Sequence, residues 1–93
     1  MKCNTAMQAR NGAGVNMRAW VLINVAIGKN REACLAIRNL PSVRHCDACW
    51  GTPDIFAYVE TESEQALNNL IVEEIQRING VERTETHLAM AEI

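Results

Sequence analysis

The chain has 93 residues, 48% of them hydrophobic, and a formal net charge of −2 from nine Lys and Arg against eleven Asp and Glu. That suffices for one small domain and not for two, and a domain of this size buries only about 60% of its unfolded surface, so self-association is an early expectation. The cations are scattered without interleaved aromatics, no apolar run approaches the roughly 18 residues of a membrane helix, and residues 1–18 lack a signal-peptide core; the chain reads as soluble and cytoplasmic, with neither a direct nucleic-acid nor a membrane partner.

Residues 1–17 are rich in Asn, Gly and Ala without an apolar period and read as a disordered N-terminal tail, leaving residues 18–93 as the domain. Met17 directly precedes the folded pattern and is a candidate translation start. Residues 19–27 (AWVLINVAI) are almost wholly apolar and rich in β-branched side chains, as in a strand covered on both faces. Helices supply one cover, and a partner subunit is the simplest second. Gly28 ends the run, Asn30 is a fair N-cap for a helix carrying Ala33, Cys34, Ile37 and Leu40 on one side, and Pro41 stops it. Residues 43–60 read as two extended segments joined by a tight Gly51-Thr52-Pro53-Asp54 connection. Thr61-Glu62-Ser63-Glu64 matches a capping box and opens a second helix with Leu67, Leu70, Ile71, Ile75 and Ile78 on one face and a Glu73–Arg77 pair on the other. Asn79-Gly80 supplies its left-handed stop, and residues 81–90 resume strand alternation.

With right-handed crossovers, this order gives an α+β, ferredoxin-like βαββαβ plait: a four-stranded antiparallel sheet with two helices on one face. The uncovered face presents Trp20, Trp50, Phe56, Tyr58 or their alternating neighbours. An apolar patch of that size favours sheet-to-sheet dimerisation into an αβ barrel.

Chemistry-bearing residues are few. His45 and His87 are the only side chains with an ordinary pKa near neutrality, and each reads first as a structural or binding residue and only second as an acid-base group. There is no phosphate loop, Ser-His-Asp order or paired-carboxylate signature. Of Cys3, Cys34, Cys46 and Cys49, the last two have a C-x-x-C spacing, but strand alternation points them to opposite sides, so small buried cysteines are expected and no metal or cofactor. The Gly51–Asp54 loop and the polar start of the last strand suit a small zwitterion. Glycine admits close backbone approach, Asp54 accepts from an ammonium group, and threonine hydroxyls donate and accept. The same residues also serve as turn and strand formers.

The Trp50-Gly51-Thr52-Pro53-Asp54 loop feeding an apolar strand, the helix ending Ile78-Asn79-Gly80-Val81 and the closing Thr84-Glu85-Thr86-His87 run resemble the effector-binding RAM domain of the Lrp/AsnC, or feast/famine, regulators. The similarity spans residues 18 to about 90. Full-length members carry an N-terminal helix-turn-helix domain, for which residues 1–18 are too few, so the resemblance is to the stand-alone form. It implies a homodimer, higher rings of dimers, and amino acids or related metabolites bound where subunits meet. The effector-binding set it implies is Gly51, Thr52, Asp54, Thr84, Thr86 and His87. The chain departs from many members at Pro53, where an aromatic residue precedes the aspartate; Trp50 either supplies that surface or belongs to the dimer core. The function implied is a non-catalytic transcription-regulation module that modulates its own assembly or that of full-length DNA-binding relatives. The alternatives are a small monooxygenase-like αβ-barrel enzyme using His45 or His87 as base, and a pure oligomerisation module.

Overall fold

The computed structural model describes residues 17–90. The tail reading of residues 1–16 lies outside the described residues, whereas Met17 is already the first residue of a strand, paired with Thr61. The elements are β1 (Met17–Val25), α1 (Asn30–Arg38), β2 (Val43–Ala48), β3 (Ile55–Thr61), α2 (Glu64–Asn69) continued by a π-helical turn (Leu70–Ile75), and β4 (Val81–Leu88). The sheet order is β2-β3-β1-β4, antiparallel throughout, which is the expected plait.

Period-two alternation sorts the two central strands. Ala19, Val21, Ile23 and Val25 of β1 and Ile55, Ala57 and Val59 of β3 are buried under the helices, which return Ala33, Cys34 and Ile37 from α1 and Leu67, Leu70 and Ile75 from α2. Leu70 and Ile75 are five residues apart. Both face the core because the helix widens there, with the Gln76 N–H donating to the Ile71 carbonyl at 2.8 Å.

The helix starts differ from the sequence reading. Asn30 is the first helical residue of α1 and Lys29 the cap, without a side-chain hydrogen bond. For α2 the cap is Ser63, whose Oγ accepts from the Ala66 N–H at 3.1 Å, and not Thr61. Thr61 still belongs to β3, buried and paired with Met17, and its hydroxyl donates to the Ser63 carbonyl at 3.1 Å. The ladder thus holds the chain extended two residues longer than the capping-box pattern suggests. The Glu73–Arg77 pair forms at 2.9 Å on the exposed side.

Two turns position the end of β1. Gly80 has φ +99°, and a Cβ there would sit 2.7 Å from Lys29 Cβ, so the turn before β4 packs closely on the one before α1. The Ala26 N–H donates to the Gly80 carbonyl at 2.8 Å. The β2–β3 connection is wider than the expected four residues: β2 stops at Ala48, and the Cys49 N–H closes the loop on the Asp54 carbonyl at 2.7 Å. Trp50 therefore lies in the loop, fully exposed at 103%, and is neither a sheet-face residue nor dimer core by position on a strand. Cys49 is exposed in the same loop, while Cys46 is buried on β2.

Candidate functional site

The face of the sheet without helices is organised in rows. One row reads His45, Tyr58, Trp20, His87 across the four strands, and the next reads Asp47, Phe56, Leu22, Glu85. Trp20 and Tyr58 contact each other, with ring centroids 5.0 Å apart at 50°. The centre is therefore aromatic and aliphatic, and each end is a histidine held by a carboxylate on its own strand. His45 Nε2 lies 2.7 Å from Asp47 Oδ2, and His87 Nε2 lies 2.9 Å from Glu85 Oε2.

Beside this apolar centre, at the C-terminal end of β1, is a cleft of about 160 Å³ lined by Leu22 and Asn24 of β1, Arg83, Thr84 and Glu85 of β4, and Thr52 and Pro53 of the loop. Register builds it: Leu22 pairs with Glu85 and Asn24 with Arg83, which puts these four side chains on the open face. The loop is fastened to the same place by Asp54. Its N–H donates to the Ile23 carbonyl at 3.0 Å, and its Oδ2 accepts from the Val25 N–H at 2.9 Å, where the β1–β4 register shifts.

Asn24 is the chemically unusual member. Its Oδ1 is buried and has no hydrogen-bond partner among the described residues. Buried acceptors are nearly always satisfied, so this one is an energetic cost to the described protomer, one that rotation of the amide toward the cleft it lines would relieve. Arg83, across the ladder from it, is exposed and makes no ion pair among the described residues.

The six residues of the sequence-derived set do not converge within one protomer. Thr52 and Thr84 line the cleft. Thr84 Oγ1 accepts from Gln76 Nε2 at 2.8 Å, toward the helix layer. Thr86 pairs with Val21 and so shares the helix side of β4, exposed at the sheet edge, while His87 is opposite Trp20 on the open face. Gly51, with φ +102°, shapes the loop, and Asp54 is a fastener whose Oδ2 is already occupied. The cleft also takes in Asn24, Arg83, Glu85 and Leu22, which the sequence-derived set does not contain. A signal existed for Asn24, the one polar residue in the run of residues 19–27, and for Arg83 and Glu85, which share a strand face with His87.

The model of the Lrp/AsnC ligand binding domain matches residues 19–93. An uncharacterised helix-turn-helix-type transcriptional regulator of Pyrococcus abyssi is 30% identical over 76 residues, covering 82% of this chain and 48% of that protein. This chain thus spans about half the length of that curated relative. Among solved structures, a protein of Thermus thermophilus is 31% identical, with a TM-score of 0.79 over 84% of this chain and 98% of its own. A transcriptional regulator of Neisseria meningitidis, solved in complex with L-methionine, shares the fold with a TM-score of 0.81 and 17% identity, over 100% of this chain and 62% of that one. Since the matched segment takes in nearly all of the plait and every residue of the cleft, the chain belongs to the Lrp/AsnC ligand-binding domain family.

Proposed function

We propose that this domain is a non-catalytic regulatory module that binds a small amino-acid-like effector in the cleft between Asn24 and Arg83 and pairs with a second copy through the open sheet face. The observation that carries this reading is a cleft lined by Asn24, Arg83, Glu85, Thr52 and Thr84 in a domain of a ligand-binding family. An amide beside a guanidinium that makes no ion pair among the described residues complements a zwitterion: the Asn24 carbonyl, rotated toward the cleft, would take an ammonium N–H, and Arg83 the carboxylate. A regulator of the same fold was solved with L-methionine, a ligand of this class. Among the described residues the walls come from β1, β4 and the loop, so a neighbouring subunit would close the remaining side and be drawn into the bound state.

The open face supports the pairing. Its apolar centre of Trp20, Leu22, Phe56 and Tyr58 with a polar rim of His45, Asp47, Glu85 and His87 has the anatomy of a protein interface. A ligand that bridges subunits stabilises whichever assembly contains its complete site, and that differential affinity is what regulation of this chain, or of DNA-binding relatives sharing its interface, requires.

Thermal melting of the protein against each of the twenty amino acids tests the reading. A ligand at 100 times its Kd adds about 2.7 kcal/mol, which for a domain this size is a rise of at least about 10 °C. The rise should be lost in Arg83→Ala. No shift with any amino acid, or an equal shift in Arg83→Ala, would end the assignment of this cleft.

A further inference from the structure

Two thiols that the effector site leaves unused meet where α1 packs on β2. Cys34 Sγ and Cys46 Sγ are 3.6 Å apart, with the residues 5% and 3% exposed. Each also approaches the other's main chain, Cys34 Sγ at 4.0 Å from the Cys46 carbonyl and Cys46 Sγ at 3.8 Å from the Cys34 carbonyl. Arg38, one turn along α1, spans the pair, its Nη2 donating to the Cys46 carbonyl at 2.6 Å and to Cys34 Sγ at 3.5 Å. Any two small apolar residues would fill this space. Two sulfurs in contact add a chemical possibility, because closing them to bonding distance takes a movement of only about 1.5 Å.

We propose that Cys34 and Cys46 form an oxidisable dithiol, which a peroxide converts into an intramolecular disulfide locking α1 to β2. In the first step one sulfur takes an oxygen from the peroxide, giving a sulfenic acid and releasing water. In the second the other thiol attacks that sulfur, the S–S bond forms, the S–O bond breaks, and a second water leaves with the thiol proton. The peroxide is reduced to two waters, and the protein loses two hydrogens.

The packed state holds the reaction back. The thiolate is the nucleophile, and burial first, then the hydrogen bond and charge coupling with Cys34, push the Cys46 thiol up to about 12. Oxidation therefore proceeds through local opening of α1 from the sheet and speeds up with pH and with sub-denaturing urea. Once formed, the bond closes a short loop, because the two residues are 12 positions apart, and restricts the unfolded chain. The inference does not rest on the effector reading, since the cleft lies toward the β4 edge of the sheet and the dithiol at the β2 edge.

The test uses the full chain carrying Cys3→Ser and Cys49→Ser, so that the pair holds the only thiols. After hydrogen peroxide treatment at mildly alkaline pH in sub-denaturing urea, the intact mass should fall by about 2 Da and both thiols should vanish together from maleimide labelling under denaturing conditions. A protease digest should yield one linked peptide joining residues 34 and 46, the melting temperature should rise by roughly 10 °C, and dithiothreitol should reverse all three changes. Adding Cys34→Ser should leave a monothiol that gains oxygen without a rise in melting temperature. Two labelled thiols after treatment, oxygen addition without the linked peptide, or disulfides only between molecules would each overturn the proposal.

Discussion

Replacing Asn24 with leucine should make the unliganded protein more stable. Asn24 sits between the buried Ile23 and Val25, with its side-chain carbonyl buried and unpartnered among the described residues. An acceptor left in that state costs about 1–3 kcal/mol, and leucine has nearly the same shape without a group to satisfy. Asparagine is also among the residues that strands disfavour. Because the residue as a whole is only half-buried, the lower part of that range applies. A gain of about 1 kcal/mol corresponds to a rise of roughly 4–8 °C in melting temperature for a domain of this length. Melts of native and variant protein must be run at one fixed protein concentration, since self-association shifts the midpoint by mass action. The same substitution should abolish the effector-induced shift, so that stability and binding move in opposite directions. A variant that melts below the native protein would refute the reasoning, because the carbonyl would then be satisfied without any ligand.

Gly80→Ala should lower stability by more than about 1 kcal/mol, from the left-handed backbone alone, with the 2.7 Å approach to Lys29 Cβ adding to it; urea unfolding measures the loss. Ser63→Ala should cost about 1 kcal/mol, whereas Thr61→Val should leave helix content by circular dichroism unchanged, since Ser63 and not Thr61 caps α2. Burial, first of all, pushes the Cys46 thiol up from 9.0 to about 12, so between these values the native state keeps a proton that the unfolded chain has released. Its contribution to stability is complete below pH 9 and is lost as pH rises toward 12; the urea midpoint should fall between about pH 8 and about pH 10.5, and fall less in Cys46→Ala.

The plait was legible because its determinants are local or periodic. The β-branched apolar run of residues 19–27 marked a strand, although with both its faces apolar only the packing puts Ala19, Val21, Ile23 and Val25 on the core side, and Gly80 marked its own left-handed turn. The α2 start was misread because Thr61 suits two roles, and pairing with Met17, remote in sequence, decides between them. Trp50 was a candidate both for the open face and for the loop surface, because a four-residue turn would have left it on the strand. The anchoring of Asp54 to β1 widens the loop and removes Trp50 from the sheet.

The site was less legible for the same reason. Thr84, Thr86 and His87 are neighbours in sequence, but a strand sends the threonines to one face and the histidine to the other. Asp54 looks identical as a ligand group and as a fastener until the position of the Val25 amide is known. Asn24 and Arg83 are remote in sequence and become a pair only through the β1–β4 register.

The most direct test of the account is native mass spectrometry of the full chain with and without a mixture of the twenty amino acids, repeated on Asn24→Leu and Arg83→Ala. Dimers or multiples of dimers should retain the mass of one amino acid per protomer in the native protein and none in either variant. A monomer at micromolar concentration, or a retained ligand unaffected by both substitutions, would contradict it.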